Sequence, residues 1–263
     1  MSARTFQILS RPNFTKKYSC ILLNGPTKAG HLTENQRRFW QQANQRVVVD
    51  GGFNILTAGQ RRDASIKHPE FVYLGDSDSV TDTTFQNSSN QSSSTPARVI
   101  CNTNQDLTDF DKCLTDLGQQ LDEKILVLTW SSITRFDHLI NIFSVLNKHS
   151  AHQVEVLFHN ESESCVTYLF CLPKTGRHQV LYQNDDSGEK FGKDPAKCGI
   201  FSLSTDSGLA ETLGLRWNLD FGHRLGFGVN AFQSTSNEAV SDKLTIRVGP
   251  DENLFFSTVI PDR

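Results

Sequence analysis

Short apolar runs with the length and β-branched character of buried strands recur through the first part of the chain. They are Tyr18 to Leu23, Arg46 to Val49, Phe71 to Leu74, Arg98 to Cys101 and Ile125 to Leu128. The segments between them carry helical spacing. A helix is expected from Thr33, with Gln36 placed for a capping box and Phe39 and Trp40 turned inward. A second, from Thr108, puts Phe110, Cys113, Leu114, Leu117 and Leu121 on one face at spacings of three and four. A third follows Asp137, with Leu139, Ile142, Phe143 and Leu146 apolar. Strand and helix alternating in this way predict a mainly parallel sheet covered on both faces.

After about Asn160 the pattern changes. Short runs such as Cys165 to Phe170, His178 to Tyr182, Gly199 to Leu203 and Leu244 to Val248 are separated by clusters of Gly, Asn, Asp and Pro. That texture predicts an all-β region, a sandwich or a roll. The boundary is expected between Asn160 and Ser164. Phe85 to Pro96, rich in Ser and Asn, has almost nothing to bury and reads as a surface loop.

Bulk properties narrow the function classes. At 263 residues the chain has ample core for one large domain or two modest ones. A net charge of -3 gives no electrostatic case for nucleic acid or an anionic membrane as partner. No apolar stretch approaches the roughly 20 residues that span a bilayer. The first residues lack a sustained apolar core, so a secretory signal is not expected. The 6 cysteines include no CxxC pair, and several sit within apolar runs. They read as reduced and buried, which places the protein in the cytoplasm. The sequons at Asn13, Asn87, Asn90 and Asn160 are then chance matches.

Three acidic segments each follow one of the strand-like runs: Gly75-Asp-Ser-Asp-Ser79, Asn104-Gln-Asp-Leu-Thr-Asp-Phe110 and Thr134-Arg-Phe-Asp-His138. Residues just past parallel strands share one edge of a sheet, where open α/β folds bind ligands. Asp76, Asp78, Asp106, Asp109 and Asp137 are therefore expected to converge on one crevice. Such a crowd of like charges calls for a cation and points to a divalent metal with a phosphate-bearing substrate. Each segment also has a plainer reading. Asp76 and Asp78 suit either a metal or ordinary turn chemistry. Thr108 suits an N-cap, and Asp109 a first-turn acid favoured by the helix dipole. Arg135 suits a phosphate, or an ion pair with Asp137. The glycines of Asp50-Gly-Gly52 permit either close approach to a ligand or a tight turn. Farther on, Trp217 reads as core or as an exposed stacking surface. Ser234-Thr-Ser-Asn237 is a polar run rich in donors and acceptors.

Taken in order, Asp50-Gly-Gly52, Gly75 to Ser79, Asn104 to Phe110, Arg135-Phe-Asp-His138, Leu215-Arg-Trp-Asn-Leu219 and Ser234 to Asn237 resemble the motif series of thiamin pyrophosphokinases. The resemblance runs from about Tyr18 to the C-terminus. It implies an α/β plus all-β fold: a mainly parallel, Rossmann-like catalytic domain over 18–160 binding ATP and Mg²⁺, then a thiamin-binding β-sandwich domain over 164–263. The implied reaction transfers the pyrophosphoryl group of ATP to the hydroxyl of thiamin, giving thiamin diphosphate and AMP. It also implies a homodimer with thiamin at the subunit interface.

By the same resemblance Asp76, Asp78 and Asp109 serve Mg²⁺ and the phosphates. Asp106 completes the metal shell or orients the attacking hydroxyl. Arg135 contacts phosphate, and Asp137 the nucleotide–metal region. Gln105, Ser234 and Asn237 contact the pyrimidine end of thiamin. Asp50, Gly51, Gly52, Thr108, Trp217, Thr235 and Ser236 complete the binding set. The chain departs from the family where Trp130-Ser-Ser-Ile-Thr134 replaces a glycine-rich stretch, and where Asn104 replaces an acid. Leu254-Phe-Phe-Ser257 stands where some animal relatives have Trp, so Phe255 or Phe256 is expected to supply an aromatic surface. The alternative is a non-catalytic thiamin- or nucleotide-binding protein of the same fold, motivated by Ser131 and Ser132.

Overall fold

The computed structural model describes residues 3–9, 17–25, 32–56, 71–76, 98–130, 136–160, 164–183, 195–205 and 208–261. By its contacts the chain divides into one unit of Phe14–Val145 and another of Met1–Asn13 with Leu146–Arg263. The Phe85 to Pro96 segment lies outside the described residues.

The first strand, β1 (Thr5–Leu9), belongs to the second of these units. The first unit contains β2 (Ser19–Leu22), α1 (Glu34–Gln42), β3 (Gln45–Val49), a 3-10 helix (Asp50–Ile55), β4 (Phe71–Gly75), β5 (Arg98–Cys101), α2 (Asp109–Leu117), β6 (Lys124–Trp130) and most of α3 (Phe136–Lys148). Its strands lie in the order β6-β2-β3-β4-β5. Every one of these pairings is parallel. Successive strands step outward from β2 to β5, and the chain then crosses to put β6 on the other side of β2. The direction reverses beside β2, so the carboxyl ends of β2 and β6 flank the crevice where such sheets take ligands.

Local chemistry explains why the helices sit where they do. Thr33 Oγ1 accepts from Gln36 N at 3.2 Å, and Gln36 Oε1 accepts from Thr33 N at 3.0 Å, which is the capping box expected. Phe39 and Trp40 are buried, as their spacing requires. At the far end α1 carries no basic residue of its own. The buried Arg46 of β3 donates instead to the carbonyls of Trp40 and Gln41, satisfying groups the helix leaves unpaired. In α2 the face Phe110, Cys113, Leu114 and Leu117 is buried, but the helix ends before Leu121. Gly118 N closes it on Leu114 O at 3.0 Å. In α3 the buried residues are Ile142, Val145 and Leu146, while Leu139 and Phe143 are half-buried.

One strand differs in character from the sequence pattern. Arg98 to Cys101 reads as buried, yet its residues are exposed or half-buried. The reason is its place: β5 is the outermost strand of the order, and an edge lacks one neighbour.

The second unit contains β1, β7 (Gln153–Asn160), β8 (Cys165–Leu172), β9 (Arg177–Gln183), β10 (Ala196–Phe201), β11 (Gly208–Leu213), β12 (Arg224–Leu225), β13 (Ser234–Ala239), β14 (Lys243–Val248) and β15 (Leu254–Pro261). One set of strands runs β1-β9-β14-β11-β12 and the other β13-β10-β15-β8-β7. Among the described strands of this unit, β1 pairs with β9 in parallel and the other strand pairings are antiparallel. The two sets meet through side chains. Phe6 of β1 stacks on Phe170 of β8 with centroids 4.0 Å apart, and Phe170 on Phe256 of β15 at 5.2 Å. Tyr182 OH of β9 donates to Thr258 Oγ1 of β15 at 3.0 Å. The boundary expected after Asn160 shifts, because β7 pairs along its length with β8 and groups with the second unit. Ser234 to Asn237, a polar run in the sequence, is the start of strand β13.

Candidate functional site: carboxylates around Lys112

Asp50 closes β3 and opens the 3-10 helix with φ of 42°, a left-handed conformation that costs a non-glycine residue about 1–3 kcal/mol. It is buried, and Tyr73 OH donates to its Oδ1 at 3.3 Å. The two glycines after it serve close approach, but to the protein's own chain. A Cβ on Gly51 would lie 2.6 Å from Asn24 Nδ2, and one on Gly52 would lie 2.7 Å from the carbonyl oxygen of Leu22. Gly75 ends β4 under the same constraint, since a Cβ there would come within 3.0 Å of Asp50 Cβ. These contacts set Asp76 beside Asp50 at the carboxyl ends of neighbouring strands.

Asp109 enters from the first position of α2, behind Thr108 as N-cap. Between Asp76 and Asp109 stands Lys112, one helical turn on. Its Nζ lies 2.8 Å from Asp109 Oδ1 and 3.8 Å from Asp76 Oδ2, and its side chain is 3% exposed. Gln105 Nε2 donates to the same Asp76 oxygen at 3.1 Å. Burial works against the Lys112 ammonium. The bond to Asp109 and the charges of Asp109, Asp76 and Asp50 outweigh it, so the lysine's pKa sits above its ordinary value. Asp109 also sits above the usual carboxylate range. Burial raises it, Lys112 draws it down, and Asp50 and Asp76 push it up again. The two directions say different things about one pair: Lys112 holds its proton more firmly, while Asp109 holds its charge less firmly. The causes differ: burial is the largest influence on Asp109, whereas for Lys112 the bond to Asp109 and the charges of the acids outweigh burial.

The other sequence candidates fall around this group. Asn104 Oδ1 accepts from Asp106 N at 2.8 Å, and Asn102 Oδ1 from Asn104 N at 3.1 Å, so side chains fold this loop through local turns. The turn at Asn104 needs only a side-chain oxygen, which Asn supplies as well as Asp. Asp106 is exposed. Asn141 Nδ2 donates to Thr108 Oγ1 at 2.9 Å, which ties α3 to the head of α2. Asp137, four residues before Asn141, lies on the same face of α3 and is exposed. The second and third acidic segments therefore approach each other. At the switch point a Cβ on Gly25 would meet the Trp130 ring at 2.5 Å, so the ends of β2 and β6 are in close contact. Asp78, Ser131, Ser132 and Arg135 lie outside the described residues.

Among the described residues no group of three His, Cys, Asp or Glu side chains stands close enough to hold a metal. Mg²⁺ does not require one, because it takes one or two carboxylates and completes its shell with water and phosphate oxygens. Asp76 and Asp109 fit that role, and a cation already stands between them in the form of Lys112. The sequence does not mark Lys112, because a lysine among apolar helix positions reads as solvent-facing. The signal available was its spacing of three from Asp109.

In the second unit the polar run of β13 is organised by Asn237, which is 4% exposed. Its Nδ2 donates to the Trp217 carbonyl at 2.8 Å and to Ser234 Oγ at 3.4 Å, while its Oδ1 accepts from Trp217 N at 3.3 Å. Asn237 thus clamps the backbone of Trp217. The Trp217 ring is 57% exposed, with the Arg216 guanidinium 5.7 Å from its centroid, so it is a surface ring rather than core. Ser234 is buried, Thr235 and Ser236 are exposed, and Ser236 has φ of 65°. Phe255 and Phe256 do not supply an aromatic surface. Both are buried, Phe255 stacking on Phe201 at 5.8 Å and Phe256 on Phe170.

Residues 36–158 match the model of the thiamin pyrophosphokinase catalytic domain. Over 250 residues the chain is 28% identical to thiamine pyrophosphokinase 2 of Oryza sativa subsp. japonica, covering 90% of this chain and 84% of that protein. Thiamine pyrophosphokinase 1 of the same plant is 26% identical over 232 residues, covering 83% and 80%. Among solved structures, yeast thiamin pyrophosphokinase aligns with a TM-score of 0.65 at 18% identity, covering 98% of this chain and 91% of that one. The Bacillus subtilis thiamine pyrophosphokinase aligns with a TM-score of 0.61 at 18% identity, covering 94% and 100%. The fold is theirs, and the catalytic-domain match spans the segments that carry Asp50, Asp76 and Asp109, so this chain is similar to thiamin pyrophosphokinases both in fold and across the site.

Proposed function

We propose that this protein is a thiamin diphosphokinase, moving the pyrophosphoryl group of ATP to the hydroxyl of thiamin and releasing AMP. The observation that carries the reading is the cluster of Asp50, Asp76 and Asp109 around Lys112 at one edge of a parallel sheet. Three carboxylates with one ammonium leave two negative charges, which a divalent cation balances. When bound, Mg²⁺ would neutralise the triphosphate and stabilise charge developing on the departing AMP.

The chain's own groups do the rest. Asp76 and Asp109 hold the metal, with Asp78 joining them. Lys112 and Arg135 supply positive charge to the phosphates. The thiamin hydroxyl attacks the β-phosphorus and its proton passes toward Asp106, an exposed carboxylate on the loop that also carries Gln105. Asp137 faces the nucleotide–metal region from α3. Ser234, Asn237 and Trp217 receive the pyrimidine end of thiamin, with Trp217 as the stacking surface and Asn237 fixing its backbone.

We read the first unit as a Rossmann-like catalytic domain and the second as a β-sandwich that binds thiamin. The Phe6–Phe170 and Tyr182–Thr258 contacts between its strand sets support the latter. A homodimer is supported by apolar residues left exposed on the second unit, Phe227, Val229 and Phe232. A reducing, cytoplasmic setting is supported by the buried thiols of Cys20, Cys113, Cys171 and Cys198. Burial raises the pKa of Cys171 to about 12, far from a reactive thiolate. Incubating purified protein with ATP, Mg²⁺ and thiamin tests the activity. AMP should form only when thiamin and Mg²⁺ are both present, and thiamin-independent ATP breakdown would overturn the reading.

A further inference from the structure

Lys112 holds an unusual position for a lysine. Its side chain is 3% exposed, and its ammonium stands between the two carboxylates best placed for a metal, 2.8 Å from Asp109 Oδ1 and 3.8 Å from Asp76 Oδ2. Burying an ammonium is costly unless carboxylates compensate it, and here they do. The converse holds for the acids. Asp50, Asp76 and Asp109 crowd one another, and Gln105 and Tyr73 offer only neutral hydrogen bonds to Asp76 and Asp50. Among the described residues, Lys112 is a cation in contact with both Asp76 and Asp109.

We propose that Lys112 is a positioning residue that stands in for the divalent ion in the metal-free protein and yields the Asp76–Asp109 site when the ion arrives. The geometry makes this a competition. A divalent ion drawn to Asp109 Oδ1 would compete with the ammonium for that oxygen's electron density, since Nζ already holds it at 2.8 Å. A divalent ion entering beside Lys112 also meets its positive charge at short range, so the lysine weakens metal binding while it holds the acids in place. The long lysine stem lets Nζ swing while its aliphatic part stays buried. This gives one residue two opposite effects, support for the empty site and resistance to the ion.

The inference rests on the metal-dependent reading of the site, but its test needs neither substrate. Mn²⁺ binding to the full chain, followed by electron paramagnetic resonance without ATP or thiamin, is compared between wild type and Lys112→Met, which keeps a similar volume without the charge. Lys112→Met should bind Mn²⁺ about tenfold more tightly or better, because one repelling charge and one competing bond are gone. Without metal it should melt at a lower temperature than wild type, and Mn²⁺ should restore more of its stability than it adds to wild type. Lys112→Arg, which keeps the charge, should return both properties toward wild type. Equal or weaker Mn²⁺ binding in Lys112→Met overturns the proposal.

Lysine Nζ resonances of the wild type provide a second measurement that does not depend on a variant folding. The Lys112 signal should move on adding Mg²⁺ alone, and a signal that stays fixed at saturating Mg²⁺ also overturns the proposal. A wild type that shows these metal effects yet makes no thiamin diphosphate would sink the enzymatic reading and leave the role of Lys112 standing.

Discussion

Replacing Asn237 by Ala removes the clamp on Trp217 without touching the ring itself. The side chain makes two bonds to the Trp217 backbone, at 2.8 and 3.3 Å, one to Ser234 at 3.4 Å, and accepts from Glu238 N at 2.9 Å. A hydrogen bond of this kind contributes about 1 kcal/mol net, and water reaches part of the exposed Trp217 loop, so a loss of about 2 kcal/mol is expected. The freed loop must be ordered again when thiamin binds, at a cost near 1.4 kcal/mol, which is about tenfold in affinity. Fluorescence can read this directly. Of the 3 tryptophans, Trp40 and Trp130 are buried and Trp217 is 57% exposed, so acrylamide quenching reports mainly on Trp217. Thiamin should shield it, and Asn237→Ala should need about ten times more thiamin for the same shielding, with the KM for ATP little changed. A variant with unchanged thiamin titration and a stability loss under about 0.5 kcal/mol would refute the clamp.

Other consequences are as open to measurement. Asp76→Asn and Asp109→Asn should each lower kcat by about a thousandfold while circular dichroism keeps the native shape, and near-normal turnover would remove either residue from the site. Gly51→Ala should destabilise by about 1–3 kcal/mol in urea, because its Cβ would lie 2.6 Å from Asn24, and Asn24→Ala in the same chain should recover part of the loss. His178 is buried, donates through Nε2 to Pro173 O at 2.9 Å, and burial lowers its pKa. The unfolded chain then binds the extra proton first, so stability falls as pH drops below about 6.5 toward the lowered native value, by at most about 1.4 kcal/mol per pH unit. His178→Phe should flatten that part of the urea-midpoint profile, and an unchanged slope would show that His178 is not its source.

The sequence reveals what local chemistry decides. Thr33 and Gln36 announce a helix start because both bonds of the capping box lie within four residues. The runs of β2, β3, β4 and β6 are legible because strands covered on both faces must be apolar throughout. What depends on strand order is hidden. Arg98 to Cys101 has the composition of an inner strand, and only its place beyond β4 exposes it. In β13 the alternation that marks a strand fails, since Thr235 and Ser236 are both exposed and Ser236 takes a positive φ. Phe255 and Phe256 mislead for a related reason: β15 is buried on both faces at that point, so neither ring reaches solvent. For the site, the acids stood out because they follow strands, whereas Lys112 is recognisable only once Asp76 and Asp109 are seen on either side of it. The sequence leaves Trp217 open between core and surface; its 57% exposure makes it a surface ring, on a backbone held by Asn237.

The central claim is that this protein moves two phosphoryl units together from ATP to thiamin. Supplying ATP labelled at its β-phosphorus, with thiamin and Mg²⁺, tests that claim most directly. All transferred label should appear in thiamin diphosphate, with one AMP formed per thiamin consumed and no ADP. Label retained in ADP beside thiamin monophosphate, or no labelled thiamin product at all, would contradict it.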